Sequence, residues 1–279
     1  MLDQATRLRE IADRYSGRYA RTLPHIITVT SGKGGAGKST VALNLAVIIA
    51  AQGNKTLVLD GDQNLGNIDV MLGVSPKARL DSVLSGERDL ADVVHSVTPN
   101  LSILPTDSGN SSVREMSIEQ QRDILREICE LDQQFEYLII DTAAGLGRDV
   151  IGYAVRAHET IVVTTPEPTA VMDAYAVIKL ITATDNMVPL KFIVNAVRQP
   201  AEADETARKL QMAVRHFLHR HVHYLGFVPY DERVSRAVVR QNPVVNEFPF
   251  CAASLSLARI AETLLDQAER TRGRRFETA

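Results

Sequence analysis

The sequence predicts an α/β fold: a single doubly wound, mainly parallel sheet of about seven strands flanked by helices. Three observations predict it. Short β-branched runs alternate with longer stretches of helical period. Runs such as Leu138-Ile139-Ile140 and Ile161-Val162-Val163 are apolar without alternation, as strands covered on both faces must be. The 279 residues, 45% apolar and 23% charged, are enough for one large core.

Strands are expected at residues 25–30, 56–60, 101–104, 137–141, 160–165, 190–195 and 224–228. Helices follow at about 38–52, 117–133, 169–185, 201–218, 232–240 and 254–270. Right-handed crossovers between such strands build one sheet with ligand sites at the carboxyl ends. Ahead of the first strand, Leu2, Ala5, Leu8, Ala12 and Tyr15 recur at three- to four-residue spacing. Residues 1–23 therefore read as an amphipathic arm joined through Thr22-Leu23-Pro24 to a core domain over residues 24–270, and residues 271–279 as a basic tail.

Composition excludes several classes. The formal net charge is −3, which argues against a dedicated nucleic-acid binder, although both ends are basic: five Arg in residues 1–23 and four in residues 270–279. No run approaches the roughly 18 apolar residues of a membrane span, and the charged start lacks the apolar segment of a secretory signal, so a cytoplasmic protein is expected. Cys129 and Cys251 stand far apart with no Cys-x-x-Cys, which speaks against a zinc site, an iron-sulfur cluster or a disulfide framework. His216, His219, His221 and His223 cluster at the end of a helix and the next strand, where a solvated edge is expected rather than a metal site.

Gly32-Lys33-Gly34-Gly35-Ala36-Gly37-Lys38-Ser39, followed by Thr40, fits G-x-x-x-x-G-K-[ST] between the first expected strand and the first expected helix. Glycines let successive N–H groups turn inward on an anion, and the helix start adds its positive dipole end. Lys38 is placed to reach the β- and γ-phosphates of a nucleotide, and the Ser39 hydroxyl to ligate Mg²⁺. Two strand-end carboxylates, Asp60 and Asp141, complete a metal site. Asp62, two residues beyond Asp60 on a loop, is suited to orient an attacking water beside the γ-phosphate.

A generic phosphate loop has no use for Lys33. The string KGGAGKST over residues 33–40 resembles the deviant Walker A motif of the MinD/ParA class of ATPases. That resemblance implies ATP with Mg²⁺, slow hydrolysis, and an ATP-dependent homodimer in which Lys33 crosses to the phosphates of the other subunit. It also implies that adenine is read by Asn195, with Arg198 nearby, and by the turn Pro229-Tyr230-Asp231. The stretch DGDQNLGNIDVMLG from Asp60, Asp141-Thr142-Ala143-Ala144-Gly145, Glu167-Pro168-Thr169 and Asp173-Ala174-Tyr175 resemble the flagellar-number ATPases FlhG, also called FleN or YlxH. At the start, Asp3-Gln4-Ala5-Thr6-Arg7-Leu8-Arg9 matches D-Q-A-x-x-L-R, by which that family stimulates the GTPase FlhF. The resemblance makes Asp3, Gln4, Ala5, Arg7, Leu8 and Arg9 partner-binding residues, and implies control of flagellar number or placement with basal-body or transcription-regulator proteins as further partners.

MinD-like proteins often end in a helix that touches the membrane reversibly. Leu257, Ile260, Ala261, Leu264, Leu265 and Ala268 form one face of the expected last helix, ahead of Arg270, Arg272, Arg274 and Arg275. A last helix packed on the sheet with a solvated basic tail is the other reading, and peripheral attachment to the inner face of the cell membrane, when anionic lipid and dimerisation act together, is the expectation. Competing activities for such a fold are a partitioning or positioning ATPase with another cargo, which needs a DNA-binding basic face if it is of the ParA type; an iron-sulfur carrier, which needs paired cysteines; and a P-loop metabolic enzyme, which needs a further substrate pocket.

Overall fold

A computed structural model describes residues 23–62, 66–106, 116–131 and 135–277, with side chains described as far as residue 270. The strands are β1 (His25–Ser31), β2 (Thr56–Gly61), β3 (His95–Thr98), β4 (Leu101–Leu104), β5 (Tyr137–Ala144), β6 (Glu159–Thr164), β7 (Leu190–Val197) and β8 (His223–Pro229). The principal helices are α1 (Lys38–Ala51), α2 (Ile118–Glu130), α3 (Arg148–Ala154), α4 (Pro168–Thr184), α5 (Pro200–Leu218), α6 (Glu232–Val239) and α7 (Ala252–Glu277), with shorter helical segments at Ile68–Leu72, Leu80–Leu84, Leu90–Val93 and Val244–Glu247.

The strands form one sheet in the order β3-β4-β2-β5-β1-β6-β7-β8. Every pairing is parallel except β3 with β4. The eighth strand corrects the expected count of about seven. β3 is four residues long and returns on β4 through the two residues Pro99 and Asn100, too short a run to show a period. α3 was also not expected, because it follows directly on the loop after β5 and spans only seven residues.

Alternation along each strand divides the core. Tyr137 and Ile139 face one way, with Ile27, Val29 and Ile161, and are covered by Leu43, Ala46, Ile260 and Leu264 of α1 and α7. Leu138 and Ile140 face the other way against Ile124 of α2, while Val162 and Phe192 on that same side meet Ile178 of α4 and Leu210 of α5. Two covered faces explain the unbroken apolar runs.

The last helix starts at Ala252 and runs past residue 270. Leu257, Ile260, Ala261, Leu264, Leu265 and Ala268 are all buried within the core cluster. The face on which a membrane contact would have depended is covered by the sheet, because it continues the apolar surface that α1 offers.

Candidate nucleotide site

β1 occupies the centre of the sheet, flanked by β5 and β6, and the glycine loop leaves its carboxyl end. Two glycines there are demanded by close approach. Gly37 has φ 85°, and a Cβ on it would lie 2.1 Å from Asn195 Nδ2. A Cβ on Gly32 would lie 2.3 Å from the Asp173 backbone of α4. The loop is thus clamped between the end of β7 and the first turns of α4. Asn195 Nδ2 donates to the Ala36 carbonyl at 2.8 Å and holds the loop from that side.

Lys38 opens α1, and its ammonium points back over the loop. Nζ donates to Asp141 Oδ1 at 2.8 Å and to Ser39 Oγ at 3.1 Å. Lys38 and Asp141 are 7% and 1% exposed, so this pair is desolvated. The other carboxylate oxygen, Asp141 Oδ2, is buried without a hydrogen-bond partner among the described residues. An orphaned carboxylate oxygen costs free energy unless something polar meets it. Burial raises the Asp141 pKa, and the Lys38 charge and hydrogen bond oppose the rise.

Asp60 faces Asp141 in the β2–β5 register. Its Oδ2 accepts from the backbone N–H of Asn67 at 2.8 Å and of Ile68 at 3.2 Å, and Oδ1 accepts from Asp62 N–H at 3.3 Å. Burial and then the neighbouring Asp141 charge push its pKa up to about 7, against those amides. Both Asp60 oxygens are engaged by the backbone, which suits it to a metal's surrounding shell, whereas Asp141 Oδ2 has no partner among the described residues and the Ser39 hydroxyl, held by Lys38 Nζ, keeps a lone pair for it. These residues fit a magnesium ion: hard oxygen donors, an unsatisfied one among them, at the mouth of a phosphate loop. Among the described residues no three His, Cys, Asp or Glu side chains converge as a metal site, so the remaining ligands would be phosphate oxygens and water.

Asp62 is half-buried at the end of β2, its backbone tied to Asp60 and its carbonyl accepting from Thr106 Oγ1 at 3.3 Å. Lys33 stands at the outer rim instead. It is 45% exposed, and its Nζ donates to Glu167 Oε2 at 2.8 Å, a contact that raises its pKa. Glu167 is the N-cap residue of α4 and also 64% exposed. Its pairing with Lys33, and the seat that Asp173 gives Gly32, were not assigned from sequence. The available signal was the stretch from Glu167 to Tyr175 quoted above.

At the far side, Arg198 lies over the Tyr230 ring, 4.5 Å from its centroid, and Tyr230 N–H donates to the Val197 carbonyl at 2.8 Å. These contacts draw the ends of β7 and β8 together, around Ala196 at φ 56°. Asp231 caps α6 through Arg233 N–H at 3.0 Å and is held doubly by the Arg233 guanidinium, which keeps its carboxyl below the usual range. Asn195, Arg198, Pro229 and Asp231 therefore do gather at one end of the sheet with the glycine loop. Asp3, Gln4, Ala5, Arg7, Leu8 and Arg9 lie outside the described residues.

Comparison with known proteins agrees with this architecture. The family model described as ParA, NUBPL iron-transfer P-loop NTPase, matches residues 22–265. The chain is 36% identical to the antiactivator FleN of Pseudomonas aeruginosa over 85% of each chain, and 32% identical to the flagellum site-determining protein YlxH of Helicobacter pylori over 87% of this chain and 82% of that one. Among solved structures, the septum site-determining protein MinD of Pyrococcus horikoshii, complexed with Mg-ADP, superposes with TM-score 0.74 at 26% identity, covering 88% of this chain and 97% of that one. The cell division ATPase MinD of Pyrococcus furiosus gives 0.75 at 25%, over 87% and 99%. Cys129, on α2, and Cys251, buried just ahead of α7, are both free, so the iron-transfer part of the model's description has no cysteine pair to rest on here. A central strand, a lysine-bearing glycine loop, two strand-end aspartates and these relatives together place the chain in the ParA family of P-loop NTPases, with the fold of MinD.

Proposed function

We propose that this protein is an ATP-dependent dimerising switch with slow ATP hydrolysis that regulates flagellar number or placement, and that its arm, residues 1–23, activates an FlhF-type GTPase. The observation that carries the switch reading is the division of labour between two lysines of one loop. Lys38 is buried in its own site, while Lys33, five residues earlier, is exposed at the rim. A cation at the rim serves a nucleotide held by a facing copy, which makes dimerisation depend on the γ-phosphate.

In this reading Lys38 and the loop amides bind the phosphates, aided by the positive end of α1. Mg²⁺, when bound, neutralises phosphate charge. Ser39 and Asp141 would hold it, with Asp60 fixing its surrounding water. Asp62 orients the attacking water and receives its proton. Asn195, Arg198, Pro229 and Asp231 surround the base. The flagellar role is supported by the similarity to FleN and YlxH and by the match of residues 3–9 to D-Q-A-x-x-L-R. Transcription regulators or basal-body proteins are further partners on the same support, and the cytoplasm is the proposed location.

The test is the GTPase rate of the same organism's FlhF homologue with a peptide spanning residues 1–23. Stimulation that disappears when Gln4 and Arg7 are changed to Ala is the expected result; no stimulation by the peptide or by the full chain overturns the arm's role. Separately, Lys33→Ala is expected to bind ATP yet stay monomeric in light scattering, and a normal ATP dimer would overturn the bridging lysine. Asp62→Ala should dimerise with ATP and lose hydrolysis.

A further inference from the structure

Asp62 follows directly on β2, at the start of a loop whose return, at Gly66 to Ile68, is tied to the strand it left. Asp60 is the inner tie: it accepts the Asp62 amide on Oδ1 and the Asn67 and Ile68 amides on Oδ2. Gly66 is a point of close return, because a Cβ on it would lie 2.5 Å from Thr106 Oγ1 and 3.0 Å from Asp60 Oδ2. Thr106, two residues past the end of β4 and buried, is the outer tie, and its hydroxyl donates to the Asp62 carbonyl at 3.3 Å.

One guanidinium fixes Thr106. Arg79 Nη1 donates to the Thr106 carbonyl at 2.8 Å, and Nη2 donates to Asp69 Oδ2 at 2.6 Å. Asp69 stands in the short helical segment Ile68–Leu72 that receives the loop; it is buried, and its Oδ1 accepts the Val70 amide. The two nitrogens of one rigid fork therefore clamp the segment after the loop to the strand end that holds the loop's start. Arg79 is itself anchored, since the next residue, Leu80, is fully buried and its amide donates to the Pro105 carbonyl at 2.8 Å.

A buried carboxylate needs a cation for stability alone, and Asp69 stripped of Arg79 would be a costly uncompensated charge. The geometry exceeds that need. Asp69 takes one nitrogen of the fork; the other goes to a backbone carbonyl, and that carbonyl belongs to the residue whose hydroxyl meets Asp62. We infer that Arg79 is a positioning residue for hydrolysis: acting through Thr106, it sets where the Asp62 loop stands against the phosphate site, and so the orientation of the water. This rests on the proposed role of Asp62. Because Arg79 bonds to Asp69 and Thr106 and not to the glycine loop, it acts on turnover rather than on nucleotide binding.

The test is a set of full-chain variants assayed for Mg-ATP turnover. Arg79→Lys keeps a positive charge beside Asp69 but has one nitrogen where the fork has two, and Thr106→Val keeps the carbonyl and removes the hydroxyl. Each should lower kcat about tenfold, with KM for ATP and affinity for ADP within about twofold of wild type. The double variant should be no slower than the slower single one, because both cut the same path. In an Asp62→Ala background neither change should lower the residual rate further. In the nucleotide-free chain, both should speed hydrogen exchange at the Asp62, Asn67 and Ile68 amides. If Asp62→Ala abolishes turnover while Arg79→Lys and Thr106→Val hydrolyse normally, the positioning role is overturned and the Asp62 assignment stands. Losses that fall on ATP affinity as much as on kcat, or that add in the double variant, make Arg79 purely structural and also overturn it. Normal turnover in Asp62→Ala, or none in wild type, overturns the role of Asp62 and that of Arg79 with it.

Discussion

At the scale of single residues, what matters most is which partner each charged group holds. Lys33 is engaged with Glu167 on its own chain, so any contact it makes across a dimer has to displace that carboxylate. Both groups are well exposed, and the competition is correspondingly mild. Glu167→Gln is expected to lower the ATP concentration needed for dimerisation a few-fold, read by light scattering, with hydrolysis per dimer unchanged. Gly37 behaves differently, because φ 85° and Asn195 Nδ2 both exclude a side chain. Gly37→Ala should cost about 1–3 kcal/mol in urea unfolding and abolish nucleotide binding. The phosphate loop, Asp60 and Asp141 were legible in sequence because pattern and context sit within one βα unit or at a strand end. The Lys33–Glu167 pair was not, since the two residues lie 134 positions apart and only folding brings β1 and β6 side by side.

At the scale of elements, strand and helix identity could be read wherever burial covered both faces, and failed where an element is short. β3 escaped because four residues at a sheet edge carry no stronger signal than a turn. The sequence also hid what holds the ends of the elements together. Glu159, at the start of β6, is buried among His25 of β1, whose Nε2 lies 2.9 Å from it, and Lys191 of β7, which also reaches Gln267 of α7. Burial opposes the Glu159 charge, but His25 and Lys191 prevail and hold its carboxyl below 4.5. A carboxylate held low contributes stability above its unfolded pKa, and that contribution is lost as pH falls through the lower folded value. Lys191→Met removes the ammonium and leaves Glu159 only the His25 contact against its burial. The variant should lose about 3–5 kcal/mol near pH 7.5 in urea unfolding and recover part of it as pH is lowered toward 4.5, whereas wild type does not gain there. Adding Glu159→Leu to Lys191→Met should restore most of the loss, since no uncompensated charge then remains.

Over the whole molecule, two ends of one sheet carry different chemistry. The carboxyl end gathers the glycine loop, the paired aspartates and the loops that follow β7 and β8; the amino end gathers arginines, histidines and the buried Glu159 network. Legibility divides the same way. Parallel βα order implies a site at the carboxyl end before any side chain is placed, but nothing in strand order foretells the Glu159 network at the amino end. At the carboxyl end, Asp141 and Asp60 are buried side by side and Asp141 Oδ2 has no hydrogen-bond partner among the described residues, so a bound cation there would be stabilising. Mg-ATP at about 100 times its dissociation constant should therefore add about 2.7 kcal/mol, and for a chain of this size raise the thermal midpoint by roughly 5–10 °C. If dimerisation is coupled to the γ-phosphate, the midpoint with a non-hydrolysable ATP analogue should also climb as protein concentration rises, while that with ADP stays flat. Lys33→Ala should keep the shift common to both nucleotides and lose the dependence on protein concentration. A scan in which ADP and the analogue give the same midpoint at every protein concentration would leave the fold and the site intact but remove the dimer from the switch.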